Sequence, residues 1–308
     1  MVDTDGGELE LPRGVALAWG IAASPQRGPK REMSVERIVE AAVEIADAEG
    51  LGAVSMAGVA ARLGYTPMSL YRYVTAKDDL ILLMQEEATG LPPESIADAV
   101  GWRAKLEALC HAMIQLYLEH PWVLEVPING SPATPNSAAW MDAGLAALQD
   151  TPLTHGERLS SMLLITGHAR WAGMVFAGYA RIEREDGMTD QDVAHREDAT
   201  FRQLITADAY PALRAAIEAD VFLEASDPFT FNLARSLDGL EAYIALAADG
   251  RRDQPKPWQK ADDSDIADDK RFREARRSVR DAERMLRDAR RMERQAAREA
   301  RQRRAAAR

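Results

Sequence analysis

Apolar residues recur along this chain at three- and four-residue spacing, which is the period of a helix packed on one face. Ser34 is an N-cap candidate for a helix over Val35 to Glu49, whose inward stripe is Ile38, Ala41, Ala42, Ile45 and Ala46. Gly50 and Gly52 end it, with Leu51 and Val54 plugging the core from the connector. Ser55 opens a second helix, Met56 to Leu63, with Val59 and Leu63 four apart. Gly64 stops that helix, because glycine turns left-handed without steric cost. Thr66 then offers its hydroxyl as a cap, and Pro67 takes the first helical position, where a missing N–H costs nothing. The third helix is short and ends near Val74. Leu70 and Val74 face inward, while Met68, Ser69, Tyr71, Arg72 and Tyr73 are left on outer surfaces. Helix, glycine turn, helix is the helix-turn-helix pattern. In that pattern the first helix crosses the DNA backbone and the second lies in the major groove.

A fourth helix runs from Lys77 to about Glu87, with Thr75 as its cap and Leu80, Leu83 and Met84 inward. Gly90, Pro92 and Pro93 close this first unit. The same periodicity then predicts helices over Trp102 to Glu119, Asn136 to Leu148, Thr154 to Glu183, Asp190 to Thr206, Pro211 to Ala219 and Pro228 to Ala248. Trp122 to Val126 reads as a further turn or short helix, and Gly130 to Pro135 as a loop. No alternating strand pattern competes. The expectation is an all-α protein: a three-helix helix-turn-helix DNA-binding domain, then a larger helical domain for ligand binding and dimerisation. The boundaries expected are an arm at 1–32, the DNA-binding domain at 33–88, the larger domain at 89–249, and a linker with a basic helical tail at 250–308.

Composition narrows the class. With 308 residues and 46% hydrophobic content the chain can bury two or three cores. Its one cysteine, Cys110, excludes an internal disulfide framework and a cysteine-based zinc site, and points to a reducing cytoplasmic setting. No run of about 18 apolar residues predicts a membrane span. Met1 to Glu10 is acidic and lacks the order of a signal peptide.

The net charge is −11, but it is unevenly spread. Lys270 to Arg308 holds 16 Lys/Arg against 6 Asp/Glu, a local +10, and leaves −21 on the remainder. DNA affinity must therefore come from a local patch. In the tail, Phe272, Val279 and Leu286 repeat every seven residues beside Ala275, Ala282, Ala289 and Ala296. That thin seam fits coiled-coil pairing, nucleic-acid contact or a solvated charged helix. In the arm, Pro12, Gly14, Gly20 and Pro25 break regular structure, and Arg27, Lys30 and Arg31 form a basic knot that fits either a phosphate contact or a solvated linker.

Ser55-Met56 through Gly64, Met68 to Val74, and Lys77-Asp78-Asp79-Leu80 together resemble the tetracycline-repressor (TetR) family of bacterial regulators over about residues 34–84. Leu11 to Ile21, His120-Pro121-Trp122 and Pro135-Asn136 resemble the subgroup whose second domain is like that of the tetracycline repressor itself. The resemblance implies a homodimer on a palindromic double-stranded operator and a small-molecule effector. The mechanism expected is a population shift, in which ligand binding pushes the fourth helix, Lys77 to Glu87, and changes the separation of the two recognition helices. It implies DNA contact at Ser55, Thr66, Pro67, Met68, Ser69, Tyr71, Tyr73 and Lys77, and phosphate contact or packing at Arg72. Ala57 stands where the tetracycline repressor has a basic residue, so one base contact is missing.

An effector pocket needs apolar walls and a few polar anchors. Candidates are Trp102, His111, Gln115, Trp122, Asn136, Trp140, His168, Arg170 and Trp171. Ala169, Gly173 and Ala177, a small-residue row at four-residue spacing, offer a close-approach face for a dimer together with Leu233, Leu237, Leu240, Tyr243, Ile244 and Leu246. His111, His155 and His168 show no metal-ligand spacing, so no metal and no cofactor is expected. An enzyme is the opposing reading. It finds no nucleophile elbow, phosphate-cradling loop or dinucleotide fingerprint, and Glu125 and Asp142 are isolated carboxylates. A third reading makes the basic tail the main nucleic-acid contact.

Overall fold

The computed structural model describes residues 11–21, 33–128, 130, 133–224, 227–252, 256, 266 and 268–306. Regular structure among them is helical throughout. Two compact units result, one ending at Arg252 and one starting at Asp253. Arg27, Lys30 and Arg31 lie outside the described residues.

The first unit opens with α1 (Arg13–Ala18), where Pro12 and the flanking glycines predicted irregular chain. The segment is helical because it packs on a later helix. The Gly14 N–H donates to the Asp79 carboxylate at 2.9 Å, and a β-carbon on Gly14 would lie 2.9 Å from the same oxygen. Val15 is buried beside it.

Next come α2 (Val35–Glu49), α3 (Met56–Leu63), α4 (Pro67–Leu70) and α5 (Lys77–Thr89). The Ser34 hydroxyl accepts the Arg37 N–H at the start of α2, and all five residues of its predicted stripe are buried. They join Val54, Val59, Leu70, Val74, Leu80 and Met84 in one core. Tyr117, Trp122 and Val123, from further along the chain, complete it.

The second core is built by α6 (Glu94–Asp98), α7 (Gly101–Glu119), α8 (Pro135–Ala147), α9 (His155–Asp186) and, after α10 (Asp190–Leu204) and α11 (Pro211–Glu218), which pack on each other, α12 (Pro228–Ala248). Here α7 and α9 lie along each other, with Leu106, Leu109, Ile165, Ala169, Leu237 and Leu240 buried between the helices. Gly173 makes this approach possible: a β-carbon there would sit 2.7 Å from the Tyr117 ring. The row Ala169–Gly173 therefore serves packing within one chain, not a dimer face, and Leu233, Leu237 and Leu240 are likewise buried internally. The opposite stripes are the open ones. Leu163, Leu164, Trp171 and Met174 on α9 are exposed, as are Phe231 and Leu246 on α12. Gly239 and Ala242 lie between the latter two, also exposed.

The second unit contains α13 (Lys270–Ala306), a single long helix.

Candidate nucleic-acid interface and cavity

The turn between α3 and α4 is set by two caps. The Ser55 hydroxyl accepts the Gly58 N–H at 3.0 Å to open α3. Gly64 closes it with φ +77°, and the Tyr65 N–H returns to the Ala60 carbonyl at 2.9 Å. Such a φ is strained for a residue with a β-carbon. Thr66 occupies the N-cap position of α4, but its hydroxyl meets the Ser69 hydroxyl at 3.0 Å, and no side-chain cap bond forms. Regular helix ends at Leu70, and turns carry the chain to Tyr73, with the Val74 N–H bonded to the Leu70 carbonyl.

A four-residue helix has no stability of its own. Leu70 and Val74, both fully buried, hold it to the core. Burying two such side chains is worth roughly 3–6 kcal/mol. Around those anchors Met68 is 72% exposed, and Thr66, Pro67, Tyr71 and Arg72 are exposed too. Ser69 is half-buried. Tyr73 departs from expectation. It is only 9% exposed and belongs to the core, because the turn after Leu70 swings its side chain under the segment. Lys77 is exposed at the first position of α5. Ala76, not Thr75, holds the cap position of α5, while the Thr75 hydroxyl donates to Asp79 at 3.0 Å. The arrangement presents a short rigid ridge, with one arginine and one lysine beside it.

A cavity of about 240 Å³ opens in the second core. His111, Ile114, Gln115 and Leu118 line it from α7, His168 and Phe176 from α9, and Asp227, Phe229, Thr230 and Leu233 from the start of α12. Phe229 is its aromatic hub. Its ring centre lies 4.9 Å from those of Trp171 and Phe176, both in edge-on geometry. The Asp227 carboxylate caps α12, accepting the Phe229 N–H at 2.9 Å and the Thr230 hydroxyl. Burial raises the Asp227 pKa, but these bonds outweigh it and hold the group below its ordinary value. Burial pushes the His168 imidazole down, against the opposing pull of the Phe229 backbone and Asp227. His168 is thus held toward its neutral form, with donor and acceptor nitrogens. Among the described residues no cluster of three or more His, Cys, Asp or Glu could hold a metal. Cys110 is buried, its thiol pushed up to about 12 by desolvation.

Of the predicted effector residues, His111, Gln115 and His168 line the cavity. The others are placed elsewhere. Trp102 is half-buried against the second core. Trp122 is 1% exposed, and its indole N–H donates to Asp47 of α2 at 2.7 Å. The Asn136 amide donates to the Glu86 carbonyl at 2.8 Å, while its backbone N–H reaches the Glu86 carboxylate at 2.7 Å. The Trp140 indole donates to the Gly90 carbonyl at 3.0 Å. The Arg170 guanidinium donates to the Leu124 carbonyl at 2.8 Å. Trp171 is 51% exposed on the open stripe of α9. Four of these six, Trp122, Asn136, Trp140 and Arg170, use their N–H groups to tie helices together.

Those ties form two braces between the cores. One runs from Arg170 through the Pro121–Glu125 turn to Asp47, which also receives the His120 imidazole at 2.8 Å. The other runs from the start of α8 to the end of α5, through Asn136 and Glu86. Sequence reasoning missed Phe176, Asp227, Phe229 and Thr230. The proline at 228 marked a helix start, but nothing marked its cap as a cavity wall.

A glycine-turned helix pair with an exposed ridge, joined to a helical bundle that carries a half-open cavity, defines a helix-turn-helix DNA-binding protein with a second, regulatory body. The profile described as bacterial regulatory proteins, tetR family, matches residues 38–84, and that of the tetracyclin repressor-like C-terminal domain matches residues 96–244. The chain belongs to the tetR family of bacterial transcriptional regulators. It is 37% identical over 241 residues to the HTH-type transcriptional repressor DrrR1 of Streptomyces coeruleorubidus, covering 78% of this chain and 88% of that one. Its fold matches the crystal structure of apo ActR from Streptomyces coelicolor with TM-score 0.58 at 21% identity, over 72% of this chain and all of that one. ActR in complex with actinorhodin matches with TM-score 0.56 at 22% identity, over 68% and 96% of the two chains.

Proposed function

We propose that this protein is a repressor that leaves its operator when a small molecule enters the cavity between α7, α9 and α12. The observation that carries the reading is the exposed ridge Thr66 to Arg72 standing on the buried anchors Leu70 and Val74. Ser55, Thr66, Pro67, Met68, Ser69, Tyr71, Arg72 and Lys77 are the DNA contacts in this reading. Tyr73 acts from beneath, as packing. Met68 and Pro67 are poor hydrogen bonders, so base reading rests on apolar contact with thymine methyls and on Arg72.

A homodimer on a palindromic operator follows from family membership, and the open stripes of α9 and α12 support its contact face. They carry Leu163, Trp171, Phe231 and Leu246 outward, an apolar surface of the kind that covers itself in pairs. ActR, a protein of the same fold, was solved with actinorhodin bound, which supports a small-molecule role for the cavity here. The walls Phe176 and Phe229 with His111, Gln115 and Asp227 fit an aromatic compound bearing hydroxyl or amide groups.

Release is a shift in population. A ligand that prefers one packing of α7, α9 and α12 biases both braces, at Asp47 and at Glu86, and so the spacing of the two ridges. Its leverage equals its differential affinity for the two states. Selection of bound duplexes from random DNA tests the reading. A recovered two-fold-symmetric sequence, released by an aromatic ligand, supports it. Recovery of no sequence preference would contradict it.

A further inference from the structure

The helix α13 lies beyond both family profiles, the later of which ends at residue 244. Its sequence repeats in sevens. Phe272, Val279 and Leu286 are each followed by an arginine, then an acidic residue, then an alanine. At 100° per residue, Arg273, Arg280, Arg284, Arg287 and Arg291 fall on one face, and all five are exposed. Glu274, Asp281 and Asp288 fall on the next face round. The ion pairs that the described residues make on α13 are Lys270–Glu274, Arg277–Asp281 and Arg303–Glu299, and none uses those five arginines. The result is a cationic stripe about 27 Å long at 1.5 Å per residue.

The ridge that reads DNA sits in the opposite environment. Residues 33–88 hold four Lys/Arg, namely Arg37, Arg62, Arg72 and Lys77, against nine Asp/Glu, a net −5. One of the four, Arg62, is paired with Glu44 at 2.6 Å. Duplex DNA carries one negative charge per roughly 1.7 Å of axis. A reading domain of net −5, in a chain that carries −21 before residue 270, attracts that backbone weakly by charge alone.

We propose that α13 is a second, sequence-independent DNA contact, its arginine face lying along phosphates of the duplex whose bases the ridge reads. The proposal rests on that reading of the ridge. Seventeen residues, 253–269, separate Arg252 from α13 in the sequence, and at about 3.3 Å per residue a chain of that length spans at most roughly 55 Å. Arginine suits the task because its fork binds phosphate in two-point fashion. A second copy of the helix is the competing occupant. Its seam is half alanine, is interrupted by Glu293, and brings +10 against +10.

The test uses the full chain and a variant with Arg273→Gln, Arg280→Gln, Arg284→Gln, Arg287→Gln and Arg291→Gln. Binding to a random-sequence duplex and to a selected operator is followed through a potassium chloride titration. Each lost phosphate contact makes the slope of log affinity on log salt shallower by about 0.9, so the expected change for five contacts is about 4.5 per chain on both duplexes. The preference for operator over random duplex stays the same, because no base contact is lost. An unchanged slope on both duplexes overturns the proposal. So does an unchanged slope accompanied by binding of the parent to phosphatidylserine vesicles. A Val279→Ser, Leu286→Ser variant that halves the oligomer mass and lowers DNA affinity as far as the arginine variant does also overturns it, in favour of helix pairing. If the parent selects no sequence, the reading of the ridge fails, and the slope change on random duplex still decides the role of α13.

Discussion

Asp47 in α2 and Trp122 in the turn after α7 are joined by a 2.7 Å hydrogen bond that fastens this turn, which α7 and Arg170 of the regulatory core hold at its two ends, to the reading core. Trp122 is in the first core although it follows the first helix of the second. Its neighbour His120 meets the same carboxylate oxygen, and the Arg170 guanidinium holds the far end of the turn. Trp122→Phe keeps the packing and removes one bond to a charged group, for a loss of about 1.5–3 kcal/mol. Thermal unfolding reads that loss. The same variant shifts the ligand concentration needed for operator release, whereas a purely local role leaves it unmoved.

The approach of α7 to α9 at Gly173 predicts a steric effect. Gly173→Ala places a β-carbon 2.7 Å from the Tyr117 ring, too close to hold without a shift. Overpacking of this kind costs about 1–3 kcal/mol. Gly178, further along α9, has open space around it, so Gly178→Ala is the control and gains helix propensity. A denaturant series separates the two.

Lys77 and Tyr71 predict distinct changes at the DNA surface. Lys77→Ala removes one phosphate partner, and the salt slope of operator binding becomes shallower by about 0.9 per chain. Tyr71→Phe removes a single neutral hydroxyl contact and weakens binding by about 1 kcal/mol with the slope unchanged. Filter binding across salt concentrations checks both.

Glu157 ties acid sensitivity to the start of α9. Its carboxylate accepts the Thr154 N–H at 2.7 Å and the Tyr243 hydroxyl at 2.8 Å, and Arg252 lies 3.2 Å away. Led by the Thr154 bond, these lower its pKa from 4.5 to about 2. The folded state then binds fewer protons than the unfolded chain between those values. The stabilisation is complete above about pH 4.5 and is lost as pH falls toward 2. Glu157→Gln flattens that part of the pH–stability curve, as measured by thermal unfolding at each pH.

The cavity predicts a separation of functions. His111→Ala and Gln115→Ala alter its polar wall on α7, far in sequence from the ridge. Both weaken ligand binding about tenfold, in line with loss of one to two hydrogen bonds, and leave operator affinity unchanged. Calorimetry with a releasing ligand, next to operator binding without it, gives the two readings.

Local features of this molecule are legible in its amino-acid order. The inward stripe of α2, the glycine turn at Gly64 and the anchors Leu70 and Val74 depend on neighbours within four residues, so spacing alone locates them. Tyr73 is misplaced by the same spacing, because helical periodicity does not extend past Leu70, where the chain is already turning. Partners are less legible. The row Ala169–Gly173 announces a close approach but not that Tyr117 makes it. Trp122, Trp140, Asn136 and Arg170 look like pocket anchors because an N–H donor on an apolar helix fits either a ligand or a neighbouring carbonyl. The cavity itself draws on α7, α9 and the cap of α12, which meet only after folding.

In the proposed complex, paired ridges, Thr66 to Arg72 of two chains, lie in successive major grooves. Hydroxyl-radical and methylation footprints of a selected operator, taken with the parent and with Arg72→Ala, test it most directly. Two protected major-groove segments about 34–36 Å apart are expected, both weakened by Arg72→Ala. A single continuous footprint that Arg72→Ala leaves intact would contradict it.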